Sequence, residues 1–260
     1  MKDDYQAPLV TRTRHELTRR TLNVVRVEQL PPGMVRIVLG GDELRGFISL
    51  GFDDHIKLFF PQGNEEPGVA PPMRDYTPRY FTADPGELWV DFFLHGGGPA
   101  TSWAAQASIG QRLLIAGPRG SSVIAPDGIA LHLLIGDETA LPAIGRRLEE
   151  LPSSSRALVV VEVESGTKRP VLQSQAAVQC VWAQRDLRDS VPSPALIDSL
   201  RGLEFATNRC FAWVACESRT ARAIRTYLRD ERGFDKRWIK AAGYWQQGAT
   251  GTHDSIPEEA

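Results

Sequence analysis

Near Ala125-Pro126-Asp127-Gly128 the texture of this chain changes, and that change limits what it can fold into. Upstream, short apolar or β-branched runs follow one another with turn residues between them. They are Leu22 to Leu30, Met34 to Leu39, His55 to Phe60, a run from Arg79, Glu87 to Leu94 and Gln111 to Gly117. Pro31-Pro32-Gly33 marks a hairpin between the first two, Pro61 stops the third, and the Gly-, Pro- and Glu-rich Gln62 to Pro72 reads as a surface loop. One short helix, from about Pro99 to Ala107, interrupts the series. Many short strands separated by turns predict an antiparallel barrel.

Downstream, strands alternate with helices. Leu131 to Ile135, Ala157 to Val163, Val178 to Ala183 and Phe211 to Cys216 read as buried-type strands, the second a near-continuous apolar run of the kind parallel central strands show. Leu141, Ile144, Leu148 and Leu151 mark one face of a helix, and further helices are predicted over Ser193 to Leu200 and Thr220 to Glu231. The fold class is therefore β followed by α/β. The expected division is 1–126 for the barrel, with 1–20 a loose arm or short helix. Residues 127–248 form the α/β domain, and 249–260 a disordered polar tail.

At 260 residues the chain has room for two such domains, and 42% hydrophobic with 24% charged residues is ordinary for a globular protein. A formal charge of −2 gives no electrostatic case for nucleic acid or an anionic membrane. No apolar run approaches a membrane span, and Met1-Lys2-Asp3-Asp4-Tyr5 lacks the apolar core of a signal peptide, so a cytoplasmic protein is the expectation; a monomer is expected as well. Cys180, Cys210 and Cys216 form no C-x-x-C pair, which points away from a zinc site or a disulfide framework.

Two stretches carry chemistry. The first runs from Met73 to Ser121. It holds Arg74-Asp75-Tyr76-Thr77-Pro78-Arg79, the strand Leu88 to Leu94, and His95-Gly96-Gly97-Gly98-Pro99-Ala100-Thr101-Ser102-Trp103-Ala104. Glycines let backbone approach a ligand, and a helix N-terminus seats a pyrophosphate, so the pattern describes a dinucleotide site on a sheet. Alone, Arg74-x-Tyr76-Thr77 would be a strand start with an exposed Arg; followed by that turn into a helix, the binding reading leads. Thr101 and Ser102 would serve as helix caps or phosphate contacts alike. The second stretch, Gly136-Asp137-Glu138-Thr139-Ala140-Leu141-Pro142, joins a strand to a helix at the carboxyl end, where open α/β sheets bind ligands. It lacks G-x-G-x-x-G, which disfavours a standard dehydrogenase.

The order and spacing of Arg74-x-Tyr76-Thr77-x-Arg79, His95, Gly98-Pro99-Ala100-x-x-Trp103-Ala104, Gly136 to Ile144, Ala212-Trp213-Val214-Ala215 and Ala241-Ala242-Gly243-Tyr244-Trp245 resemble the siderophore-interacting protein family over nearly the whole chain. The resemblance implies an FAD-binding β-barrel and a ferredoxin-reductase-like α/β domain for NADPH or NADH. It also implies electron transfer to Fe(III) in a ferric siderophore, with iron held by the siderophore and no protein metal site. It assigns Tyr76 and Thr77 to the flavin ring and N5, and Arg74 to the pyrophosphate. Asp75, Asp91, Phe92, Phe93, His95, Gly98, Pro99, Ala100, Thr101 and Ser102 become FAD neighbours. Glu138 and Thr139 face the nicotinamide, Trp182 and Arg185 the nucleotide, and Trp245 shields the flavin. Lys57 and Arg119 match two basic positions that receive the siderophore; the third falls in Gln246-Gln247, with Gln247 the expected contact, where the family usually carries Arg. A flavin reductase with another acceptor, or a non-catalytic siderophore carrier, remain the alternatives. Cys216 carries no functional argument.

Overall fold

The computed structural model describes residues 7–31, 33–61, 70–186, 191–249 and 254–256. The first six residues of the expected arm and residues 62–69 of the expected loop lie outside them. The chain divides into two compact units, one of residues 11–123 with 168–170, the other of 1–10, 124–167 and 171–260.

The first unit holds β1 (Val10–Arg14), β2 (Arg19–Leu30), β3 (Met34–Gly40), β4 (Ile56–Phe59), β5 (Met73–Tyr76), β6 (Tyr80–Thr82), β7 (Glu87–Phe93), α1 (Pro99–Ala105), β8 (Arg112–Ala116) and β9 (Gly120–Ile124). Seven strands form one antiparallel curled sheet in the order β5-β4-β8-β2-β3-β7-β6, and β1 pairs with β9 in a second, two-stranded sheet. The β2–β3 hairpin closes with Leu30 opposite Met34, as the turn residues predict. Leu22, Val24, Val35, Ile37, Leu39, Leu58, Val90, Leu113 and Ile115 point inward and are almost fully buried. Each such aliphatic side chain contributes roughly 1.5–3 kcal/mol.

The second unit holds β10 (Leu131–Gly136), α2 (Leu141–Glu150), β11 (Arg156–Glu164), β12 (Ala177–Arg185), α3 (Pro194–Arg201), β13 (Cys210–Glu217), α4 (Ser218–Thr226), β14 (Ile239–Trp245) and β15 (Asp254–Ser255). Its sheet runs β12-β11-β10-β13-β14-β15, parallel but for β15, with the chain reversing direction of travel between β10 and β13. The β-then-α/β expectation is met.

Three local expectations are corrected. The arm is partly strand: β1 is exposed along its length and is held by backbone pairing to β9, and β2 already starts at Arg19. The tail is partly strand as well, because Asp254 and Ser255 pair with Gly243 and Ala242 while Ile256 packs on the α/β core. The helix expected to Glu231 is α-helical only to Thr226 and continues as a π-turn over Tyr227–Glu231.

Candidate functional site

In the first unit, β4–β5 register sets Lys57 opposite Asp75 and Leu58 opposite Arg74. Side chains of a strand alternate faces, so Asp75 and Arg74 part company. Asp75 turns to Lys57, whose Nζ donates to both carboxylate oxygens at 2.9 and 3.0 Å. Arg74 donates to the Met73 carbonyl at 2.8 Å, and no carboxylate among the described residues pairs with it. Tyr76 packs against Phe92 at 4.3 Å between ring centroids, the rings tilted by 39°, and meets Phe60 edge-on at 6.4 Å. Burial pushes its phenol well up, against the opposing pull of the Arg74 charge, so it stays a neutral donor. Thr77 beside it is buried.

The glycine turn lies on the same aromatic floor, because Trp103 of α1 packs on Phe60 at 5.7 Å and on Phe92 at 5.9 Å. Gly97 and Gly98 have φ of 144° and 109°, which L side chains rarely adopt, and a Cβ at either would project into open space. No side chain caps α1, so its first-turn N–H groups keep their free valence, with Pro99 starting the helix. Open glycine backbone, uncapped N–H groups and a guanidinium with no carboxylate partner among the described residues are the donor set a diphosphate-bearing flavin needs, and the residues fit FAD.

The structure sorts the expected FAD neighbours. His95, Gly98 and Ser102 are exposed; Phe93, Pro99 and Thr101 are half-buried. Asp91, however, is buried and gripped by Arg36 at 2.7 and 2.8 Å, a guanidinium that also lies 4.7 Å from the Trp89 ring. Phe92 is 0% exposed and Ala100 is buried, so both support the site from beneath and do not line it. Asp75 is taken by Lys57, which removes it from the cofactor's side and leaves Lys57 a shared charge. Arg119 is exposed. Its carbonyl accepts the His15 N–H at 2.9 Å, and neighbouring Ser121 bridges the His15 ring at 2.8 Å to buried Asp54 at 2.6 Å, a scaffold that no sequence pattern announced.

In the second unit, the crevice where the strand order reverses lies at the carboxyl ends of β10 and β13. Gly136 closes β10 there, and a Cβ on it would collide with Ala140 and the Ala215 carbonyl. Asp137 follows, accepting from Thr139 N at 2.9 Å, Thr139 Oγ1 at 2.5 Å and Trp245 Nε1 at 2.7 Å. Burial, with the neighbouring Glu138 charge adding to it, pushes Asp137 up to about 6 against the pull of those hydrogen bonds. Glu138 is buried and accepts from Glu164 N at 2.9 Å and from Arg185 at 3.0 Å. Arg185 also donates to Glu162 at 2.9 Å, and Glu162 takes the Ser193 hydroxyl. Burial opposes the Arg185 charge, but the two carboxylates outweigh it and leave the guanidinium more firmly protonated than usual.

Glu138 and Arg185, expected at the nicotinamide and the nucleotide, are thus spent on each other. Thr139 and Trp182 are half-buried and Trp245 is 38% exposed. Glu217 at the end of β13 caps α4 through the N–H groups of Arg219 and Thr220 at 2.7 and 3.0 Å and accepts from Gln247 N at 3.4 Å. Sequence reading passed over Asp137, Glu162 and Glu217 as ligands of their own unit; their position at strand carboxyl ends was the available signal. Cys216 is buried, its thiol pushed well up by burial and by Asp137, Glu162 and Glu217, and so is inert. Among the described residues no group of His, Cys, Asp and Glu is disposed to hold a metal, and no helix is long and apolar enough to cross a membrane.

Known proteins resemble this chain in sequence and fold. The siderophore-interacting FAD-binding domain family matches residues 23–72 and 64–122, and the siderophore-interacting protein family matches residues 129–248. An NADPH-dependent ferric-chelate reductase of Escherichia coli is 36% identical, over 90% of this chain and 95% of its own. Ferric vibriobactin reductase ViuB of Vibrio cholerae is 30% identical, over 88% and 90%. A siderophore utilization protein from T. fusca superposes with a TM-score of 0.85 at 32% identity, covering 97% of this chain and 100% of its own.

Proposed function

This chain belongs to the siderophore-interacting protein family, and on that premise we propose that it is an FAD-dependent, NAD(P)H-consuming reductase of Fe(III) in ferric siderophores. The observation that carries the reading is the open glycine turn and uncapped α1 sharing one aromatic floor with Tyr76, on the same strand as Arg74, which has no carboxylate partner among the described residues. Bound FAD would supply the exchange between a two-electron hydride donor and a one-electron ferric acceptor.

Arg74 and the α1 N–H groups would hold the pyrophosphate, while Tyr76, kept neutral and braced by Phe92, would carry the ring and exclude water. Thr77 would place a hydroxyl at the reacting edge. Residues 1–126 form the proposed flavin portion and 127–248 the proposed nicotinamide portion, with Thr139 and Trp182 as its accessible contacts and Trp245, which the resemblance sets over the flavin, partly exposed at the same crevice. Arg119 would meet the anionic chelate, and Lys57, already sharing its charge with Asp75, would add less than a free lysine. With Gln247 uncharged, the favoured substrates are siderophores of low negative charge, such as hydroxamates or citrate-type chelates. The iron is cargo, wrapped by its chelator, and its reduction loosens the hard oxygen donors.

The purified protein should absorb near ~450 nm from oxidised flavin. After anaerobic reduction by NADPH, mixing with a ferric hydroxamate should return that absorbance. A colourless protein, or one whose reduced flavin ignores every ferric siderophore offered, would end the reading.

A further inference from the structure

Trp245 stands at the end of β14, beyond β13, yet its indole nitrogen donates at 2.7 Å to Asp137, which follows β10 on the far side of β13. Its ring therefore spans the carboxyl end of β13, at the reversal of strand order where an open α/β sheet takes its ligand. The main chain of the same residue is tied down, because its carbonyl accepts the Ser218 hydroxyl at 3.1 Å. Trp245 is 38% exposed, whereas Asp137 is 3% exposed. A buried carboxylate thus grips the polar edge of a ring that is itself partly exposed. Three donors converge on Asp137, two from Thr139 and one from Trp245, and the Thr139 pair only closes its own turn.

We propose that Asp137 is a positioning residue for the nicotinamide site: its carboxylate fixes the Trp245 indole across the crevice as a stacking surface for the donor's ring. The inference rests on the α/β unit being that site. A planar heteroaromatic ring gains from stacking only if its partner is held at a defined tilt, and one hydrogen bond at the indole edge supplies that restraint. The titratable and charged groups around Asp137 are Glu138 on its own turn, Cys216 and Glu217 on β13, Glu162 on β11, and Arg185 on β12, which neutralises Glu138 and Glu162. None of these donates to Asp137 in the structure. As the pH falls through about 6, the carboxylate takes up a proton and becomes a poorer acceptor, so the restraint weakens in acid.

The test uses the full chain and the indole N–H resonance of Trp245, identified by its absence in Trp245→Phe. In the wild type that resonance should shift with pH around a midpoint near 6. In Asp137→Asn, which keeps an acceptor oxygen, it should stay hydrogen-bonded and lose the pH dependence; in Asp137→Ala it should move to the position of a water-exposed indole. With NADPH as the probe, Asp137→Ala should raise KM about tenfold while kcat changes less than twofold. Trp245→Phe should do the same, and the double variant should be no worse than either single. Asp137→Asn should restore KM. A wild-type resonance flat from pH 4.5 to 8, or additive KM effects in the double variant, would overturn the proposal. A wild type that ignores NADPH altogether would remove the nicotinamide reading, while the resonance would still decide whether Asp137 holds Trp245.

Discussion

In the barrel unit Arg74 and the first turn of α1, which could meet a ligand, have no carboxylate partner and no side-chain cap among the described residues, whereas in the α/β unit the corresponding groups are used up on one another. At the α/β crevice, Glu138 and Glu162 share Arg185, Glu217 caps α4, and Asp137 is filled by Thr139 and Trp245. The first arrangement pays for ligand binding in advance with unpaired donors, and the second offers shape and a few exposed surfaces. That division suits the proposed roles: a cofactor that stays, held by charge, and a donor that comes and goes.

The largest expected effect tests the closed side. Arg185→Ala would leave Glu138 and Glu162 buried without a counter-charge, and breaking such a pair costs about 3–5 kcal/mol. A fall in thermal midpoint of roughly 10 °C is expected at about 2–4 °C per kcal/mol, with the flavin-to-protein ratio of the material still folded unchanged. A variant as stable as the wild type would mean that the two carboxylates find other partners.

Next comes the open side. Arg74→Ala should weaken FAD binding by about 1.5–3 kcal/mol, the value of a charge-assisted hydrogen bond, which is roughly ten- to a hundredfold. The thermal midpoint of the apoprotein should hardly move, since the one hydrogen bond that Arg74 donates among the described residues goes to the neighbouring Met73 carbonyl. The ratio of flavin to protein after purification and an FAD titration measure it; wild-type occupancy would take Arg74 out of the site.

Acid sensitivity should separate within the α/β unit itself. His132 is fully buried with neither ring nitrogen bonded among the described residues, and burial, with the Arg147 charge adding to it, pushes it down to about 3. Its folded value lies below its unfolded one, so the unfolded chain takes the proton first and stability falls as the pH drops from about 6.5. Asp137 runs the other way. Its folded value near 6 lies above its unfolded one near 4, so stability is lost as the pH rises through that window. The two slopes oppose each other between about pH 4 and 6. His132→Leu should gain about 1–2 kcal/mol at pH 5 by removing an unsatisfied polar ring. Asp137→Asn should make stability rise with pH where the wild type is nearly flat. Urea unfolding at pH 4, 5, 6 and 7 reads both, and parallel pH profiles for all three proteins would refute the assignment.

Elements that bury side chains could be read from sequence, and elements held by backbone could not. The apolar run of β11 and the Leu141, Ile144, Leu148 face of α2 are written in residues that end almost fully buried. β1 and β15 are short strands held by neighbours' N–H and C=O groups, so no alternation recorded them. The candidate site divides in the same way. Arg74, Tyr76 and the Gly98-Pro99 turn sit in one local pattern. Lys57–Asp75, Arg185–Glu138 and Arg36–Asp91 join residues 18, 47 and 55 positions apart; strand register brings the first and last together, and the β12-β11-β10 order the second. Three residues expected to face ligands, Asp75, Asp91 and Glu138, turned out to face those partners.

The smallest expected effect concerns charge at the barrel's own cation. Lys57 and Asp75 are 35% and 15% exposed at the side chain, so their attraction is partly screened, and each unit of charge near such a surface is worth about 1 kcal/mol. Asp75→Asn would remove the anion and leave the ammonium free to meet an incoming chelate. A trianionic tris-catecholate should gain several-fold in reduction rate at low salt, a neutral hydroxamate complex should gain little, and added salt should erase the difference. Gln247→Arg, which adds a cation on the α/β unit instead, is the companion variant: an equal gain there would show that both units contribute charge to substrate choice, and a gain confined to Asp75→Asn would place it in the barrel. Asp75→Asn must retain full flavin, because Asp75 is occupied by Lys57 and not by the cofactor's donors. If it loses FAD as Arg74→Ala does, the open and closed sides of the barrel motif are not separable, and Asp75 belongs with the cofactor after all. If flavin is kept and tris-catecholate rates do not move, Lys57 receives no substrate charge.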